Sequence, residues 1–278
     1  MRVRTRGIEL EVEDHGDGVP VMLLHGFPLS SAMWTPVRTA LEQAARLITP
    51  DQRGFGASDK PASGYGMEEL AEEAVRVVDA LGVERFVLGG HSMGGYVALR
   101  VAAAHRERLA GLILVDTRAE GDTADGRQRR ESGIARVRAG EVGGFLDEFV
   151  ANLAGPSTKA RAPRVLAEMR AIAAEAAPDA LAGCLAGMRD RPDSTELLGS
   201  LDLPALVVVG AEDSLTPPPM SRAMAAALPR CRLVEIASSG HTPSMERPIP
   251  TAEAILAFLR ESFPKPAAPL SRRPSRQG

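Results

Sequence analysis

Gly90-His91-Ser92-Met93-Gly94 and the following Gly95 lie between two contrasting patterns. Before them, Phe86-Val87-Leu88-Gly89 is a short apolar run of the kind that forms a buried strand. After them, the run from Tyr96 to Ala104 is rich in alanine, leucine and valine and reads as a helix. Ser92 therefore stands where a strand turns sharply into a helix, the context of a G-x-S-x-G nucleophile elbow. Such a turn strains the serine backbone, and side chains at the flanking positions would meet the strand and the helix, which explains the glycines. The hydroxyl would then sit at a helix N-terminus, where the dipole favours a developing anion. The five residues alone fit an ordinary turn as well, with Ser92 as a helix N-cap. The two readings part on whether the chain also supplies a base, an acid and oxyanion donors.

Upstream, Val19 to Leu24 is a continuous apolar run that implies a strand buried on both faces, hence a parallel, helix-covered sheet. His25-Gly26-Phe27-Pro28 follows at once. A glycine directly after a central strand lets the backbone approach a ligand. In an elbow protein this loop gives one oxyanion N–H and the residue after the nucleophile gives the other. Those donors would be Phe27 and Met93, since Pro28 has no N–H. Nearer the N-terminus, Val3 to Glu13 alternates as a half-exposed antiparallel pair at a sheet edge.

Ser31 to Ala45 is expected as a helix, with Trp34 near its start as a candidate substrate contact or, more plainly, a core aromatic. A strand over Arg46–Asp51 leads into the glycine-rich loop Asp51–Asp59. That loop lacks G-x-x-x-x-G-K and reads as a structural brace at the active-site end of the sheet. Met67 to Leu81 is the clearest amphipathic helix, with Glu68, Glu69, Glu72 and Glu73 on its polar stripe and Gly82 as its stop.

Downstream, Leu112 to Asp116 is a further strand. From Arg118 to Ser200 no strand signal recurs, and helix-like segments appear at Gly133–Arg138, Val142–Leu153, Pro163–Ala177 and Ala180–Met188. A helical block between two strands of one sheet reads as a cap over the strand ends. Its only aromatics, Phe145 and Phe149, are candidate substrate contacts, and one of its many arginines could turn inward to hold a substrate carboxylate. Strands resume at Ala205–Gly210, which Glu212 and Asp213 leave, and end at Leu233–Ile236, before His241 and a helix over Thr251–Phe263. Adjacent residues leaving a strand face opposite sides, so only one of Glu212 and Asp213 can meet a given partner; Asp116 is a third acid at a strand end. The expected division is a core of 1–117 and 201–263, a cap of 118–200 and a disordered tail of 264–278.

The composition narrows the classes. A formal net charge of −3 gives no field that points to nucleic acid or an anionic membrane. No apolar run is long enough to span a bilayer, and Met1 to Arg6 has charge without the apolar stretch of a signal peptide. The two cysteines, Cys184 and Cys231, are isolated, which suits a reducing cytoplasm and offers no zinc spacing.

Taken together, Val19 to Arg260 resembles an α/β-hydrolase-fold serine hydrolase. It is similar to small microbial carboxylesterases, 3-oxoadipate enol-lactonases and cofactor-free haloperoxidase/perhydrolase enzymes. The resemblance implies a mostly parallel, twisted eight-stranded sheet covered by helices on both faces, with a helical cap after the sixth strand. It implies nucleophile, acid and histidine in that order: Ser92, Asp213 in Gly-Ala-Glu-Asp-Ser-Leu-Thr-Pro, and His241 in Ser-Gly-His-Thr-Pro. Serine at the elbow separates the chain from dehalogenases and epoxide hydrolases of this fold, which carry aspartate there. The expected activity is hydrolysis of small or medium acyl esters, lactones included, with no metal or cofactor. Alternatives are cleavage of a C–C bond, perhydrolysis, and a ligand receptor that turns over slowly. The expected partner is a small ester or lactone, with no nucleic acid or membrane; oligomeric state is left open.

Overall fold

The computed structural model describes residues 1–5 and 7–264. Of the tail expected over 264–278, residues 265–278 lie outside the described residues. The strands are β1 (Arg2–Thr5), β2 (Ile8–His15), β3 (Val19–Leu24), β4 (Ala45–Pro50), β5 (Phe86–His91), β6 (Leu109–Val115), β7 (Ala205–Gly210) and β8 (Cys231–Ile236). They form one sheet of eight strands in the order β1-β2-β4-β3-β5-β6-β7-β8. β1 and β2 are antiparallel neighbours at one edge, and β2 is antiparallel to β4. All remaining pairs are parallel. The hydropathy pattern explains the difference. β5 and β7 are buried at every position, whereas β2 alternates between inner and outer faces.

The core helices are α1 (Thr35–Leu41), α2 (Met67–Ala80) and α3 (Met93–Ala104). Between β6 and β7 run α4 (Ala124–Arg138), α5 (Val142–Ala151), α6 (Pro156–Arg161), α7 (Pro163–Ala173), α8 (Pro178–Asp190) and the single turn α9 (Thr195–Leu198). The last helices are α10 (Pro218–Ala227), α11 (Pro243–Glu246) and α12 (Pro248–Ser262). Helices cover both sheet faces, α2 packed with α3 and α1 with α12. A helical cap after the sixth strand is thus present, as the resemblance implied.

Register aligns the functional loops. Leu24 pairs with Gly90, His91 with Val115, Val115 with Val208 and Gly210 with Ile236. The carboxyl ends of β3, β5, β6, β7 and β8 therefore lie along one edge of the sheet, and the chain order reverses direction between β3 and β5. That is where open α/β sheets bind ligands.

Several expectations need correction. The helix expected over Ser31–Ala45 is a short 3-10 turn at Ser31–Trp34 followed by α1, which ends at Leu41; Ala45 already belongs to β4. In the cap, α4 begins nine residues before the predicted Gly133, and α6 was not anticipated. Glu73 does not face solvent. It is 2 % exposed and pairs with Arg53, whose Nε lies 2.9 Å from one carboxylate oxygen and 3.0 Å from the other.

The base of the cap is a buried ion cluster. Asp122 accepts from Arg191 at 2.8 Å and Arg130 at 3.2 Å, and also pairs with Arg118. Burial alone would push the Asp122 carboxyl up, but the three arginines outweigh it and hold it below its ordinary value. The Arg191 guanidinium lies 3.9 Å from the Tyr96 ring centroid and donates to the Glu120 carbonyl at 2.7 Å. An inward arginine therefore exists, but it fastens the two chain crossings of the cap to each other. Among the described residues, no helix is long and apolar enough to cross a membrane.

Candidate active site

Ser92 follows β5 and caps α3 with φ 49° and ψ −110°, in the left-handed range that side-chain-bearing residues avoid. The fold enforces this. The Ser92 N–H donates to the Val115 carbonyl at 2.9 Å, and the Ser92 carbonyl accepts from the Thr117 hydroxyl at 2.8 Å and from Gly95 N–H at 2.9 Å. The flanking glycines are required by space. A Cβ on Gly90 would lie 2.1 Å from the Gly94 carbonyl oxygen, and one on Gly94 would lie 2.6 Å from that of Leu24. Ser92 stays partly exposed between buried neighbours.

The loop after β3 lies against this elbow. A Cβ on Gly26 would come within 2.2 Å of His91 Nδ1. Among the described residues, neither the Phe27 nor the Met93 N–H is engaged in a hydrogen bond. The loop is braced from behind. Asp51 accepts from Ser31 N–H at 2.8 Å and Ala57 N–H at 2.9 Å, and His25 Nε2 accepts from Gln52 N–H at 2.9 Å.

His241 and Asp213 meet beyond β8 and β7. Asp213 Oδ2 accepts from His241 Nδ1 at 2.8 Å and from the Thr216 hydroxyl at 2.6 Å. Asp213 Oδ1 accepts from Leu215 N–H at 2.8 Å and Thr216 N–H at 3.2 Å. Both residues are almost fully buried. Burial would raise the Asp213 carboxyl, but His241 and Thr216 outweigh it and hold it well below the usual carboxylate range. With Nδ1 donating, Nε2 carries the free lone pair. The His91 ring meets the His241 ring at 4.9 Å between centroids, which brings His241 beside the residue preceding Ser92. His91 Nε2 donates to the His241 carbonyl at 2.6 Å. Burial, and then the proximity of His241, push the His91 imidazole down to about 3, so it stays neutral.

Glu212, the neighbour of Asp213, turns the other way. It accepts from Ser157 N–H at 2.8 Å and Ser157 Oγ at 2.5 Å, at the start of α6. Asp116, just past β6, is fully buried with φ 42°. Its Oδ1 accepts from Gly210 N–H at 2.8 Å, while Oδ2 has no partner among the described residues. Burial and then the charge of Asp213 push the Asp116 carboxyl well above its ordinary range, toward the neutral form. Asp116, Asp213 and His241 each present a donor atom within 4.8 Å of the others. His241 Nδ1 and Asp213 Oδ2 already bond to each other, so the group reads as an acid-histidine pair with a neutral carboxyl beside it.

Over this edge, Phe149 and Phe145 of α5 stand 5.0 Å and 6.3 Å from the Phe27 ring, edge on. Phe145 is buried and Phe149 partly exposed. Trp34 is 1 % exposed in the core, and its indole N–H has no partner among the described residues. In the sequence alone, His91 and Thr216, which lie inside the quoted motifs, and Thr117 carry no assigned role. Thr216 follows Asp213 in Asp-Ser-Leu-Thr, a spacing that could have marked a hydroxyl turning back onto the carboxylate.

Residues 19–248 match the family model described as alpha/beta hydrolase fold. The chain is similar to the solved structure of a thermophilic esterase from Thermogutta terrifontis, at 41 % identity and a TM-score of 0.91, covering 94 % of this chain and 99 % of that one. It is similar to the enol-lactonase from Burkholderia xenovorans LB400, at 25 % identity and a TM-score of 0.85, covering 93 % and 99 % of the two chains. The dihydrolipoyllysine-residue acetyltransferase component of the acetoin cleaving system of Pseudomonas putida is 30 % identical over 247 residues. That match takes in 88 % of this chain and 64 % of the longer relative.

Proposed function

The chain belongs to the alpha/beta hydrolase fold family, and from that premise we propose that it is a serine hydrolase of carboxylic esters, lactones included. The observation that carries the reading is the His241–Asp213 pair, buried and bonded at 2.8 Å, with the His241 ring against that of His91, the residue before the strained Ser92. Ser92 Oγ attacks the acyl carbon and His241 Nε2 takes its proton. Asp213 keeps the His241 proton on Nδ1 and stabilises the imidazolium. The N–H groups of Phe27 and Met93 hold the oxyanion, each worth about 3–4 kcal/mol. His241 then protonates the leaving alcohol, and water clears the acyl-enzyme by the reverse sequence.

The cap sets the substrate. Phe145 and Phe149 close over Phe27, which favours small or medium acyl groups over long chains. The likeness to an esterase and to an enol-lactonase supports this substrate class. Turnover of p-nitrophenyl esters and lactones of graded acyl length tests it. Multiple turnovers with a short-chain optimum are expected. A single slow turnover would point to a receptor, and no acylation of any ester would refute the reading.

A further inference from the structure

Glu246 ends α11, and its carboxylate joins two distant parts of the chain. Its Oε2 accepts the N–H of Gly240 and the N–H of Gly155, in the cap, both at 2.9 Å. Its Oε1 accepts the N–H of Thr242 at 3.0 Å and lies 3.2 Å from the Thr242 hydroxyl. One side chain thus holds both residues that flank His241, together with a cap residue. The main chain of His241 is fixed by the same neighbourhood. Its N–H donates to the Leu153 carbonyl at 2.8 Å, and its carbonyl accepts from His91. These bonds leave the imidazole ring free and fix the backbone from which it projects. A carboxylate suits the position, because three backbone N–H groups converge there and an ionised carboxylate only accepts. A second tie runs parallel: Ser157, two residues beyond Gly155, is held by Glu212, the neighbour of Asp213.

We propose that Glu246 is a positioning residue for His241: it sets the His241 loop against the cap segment Leu153–Gly155, so that the imidazole aligned by Asp213 meets Ser92. This rests on the reading of His241 as the general base. It adds a structural consequence: the cap is part of what aligns the base, as well as what shapes the pocket. A carboxylate that only completed the first turn of α11 would contribute stability and leave the imidazole where it is.

Glu246→Gln separates the two. Glutamine has one acceptor oxygen and a nitrogen that only donates, so either the Gly155 and Gly240 N–H groups or Thr242 lose their acceptor. The expected result is a kcat lower by about 10–10²-fold on a short p-nitrophenyl ester, because ångström-scale misplacement of a catalytic group has that effect. KM stays near the wild-type value, and the proton resonance of His241 Nδ1–H shifts or exchanges faster. Glu246→Asp keeps the charge but withdraws the carboxylate by one methylene, and gives the same readouts if the glutamine variant does not fold. A variant with wild-type kcat and an unmoved resonance overturns the proposal. So does a lowered Tm with kcat per folded molecule and the resonance both unchanged. The resonance needs no substrate, so failure of the esterase reading is distinguishable from failure of this one.

Discussion

Asp213→Asn is the substitution whose outcome the geometry constrains most. Asp213 Oδ1 accepts two backbone N–H groups, from Leu215 and Thr216. An asparagine must keep its oxygen there, because turning the amide nitrogen toward two donors would leave three groups without an acceptor. The nitrogen is then forced into the Oδ2 position, facing His241 Nδ1, which lies 2.8 Å away in the wild type. It donates where the carboxylate accepted, so His241 must carry its proton on Nε2 and can no longer take one from Ser92. The same tautomer error in the serine protease template lowers kcat about 10⁴-fold, close to 5.5 kcal/mol of transition-state stabilisation. Asp116→Asn is the matched control. Burial and the charge of Asp213 push Asp116 toward its neutral form, and its Oδ1 accepts only from Gly210 N–H. Asparagine retains that acceptor and introduces no tautomer conflict, so kcat is expected to fall less than about tenfold, under 1.4 kcal/mol. The assay is kcat on p-nitrophenyl butyrate near neutral pH, with Tm measured for both variants. A larger loss in Asp116→Asn than in Asp213→Asn would show that the acid has been misassigned.

Ser92→Ala is expected to abolish ester turnover and covalent labelling by a fluorophosphonate while leaving Tm close to wild type; retained labelling would place the nucleophile elsewhere. Phe149→Ala and Phe145→Ala should move the acyl optimum toward longer p-nitrophenyl esters, and an unchanged profile in both would remove the cap aromatics from the pocket. Asp116→Asn also carries a stability prediction. A folded state that keeps a proton which the unfolded chain releases near pH 4 loses stability as pH rises toward the folded pKa, by ~1.4 kcal/mol per unit. Asparagine has no such proton, so the variant should gain stability relative to wild type as pH rises above about 4. Denaturant unfolding near pH 4 and near neutrality reads the difference; a flat difference would mean that Asp116 is ionised in the folded state.

The legible parts of the fold are those whose cause is local. The elbow could be read because the clash at Gly90 and Gly94 involves atoms within a few residues or on the adjacent strand. The buried strands could be read because burial on both faces removes polar side chains from the sequence. The first half of α4 was illegible for the opposite reason. Ala124 to Glu131 offers no apolar stripe, and Gly126 and Ile134 are among its few buried residues. Glu73 sits on a polar stripe in α2, and nothing near it in sequence reveals that Arg53 buries it.

Among the acids, backbone donors decide where the negative charge lies. Asp116 and Asp213 leave adjacent strands, and both are enclosed. Asp213 receives two backbone N–H groups and a hydroxyl in addition to His241, whereas Asp116 receives one backbone N–H and otherwise faces Asp213. Two carboxylates this close and this dry cannot both ionise, and the charge goes to the better-solvated one. Amide N–H groups have no residue letter, so a sequence motif can name the candidate acids but cannot count their donors. That count leaves the negative charge on Asp213, whose Oδ2 accepts from His241 Nδ1.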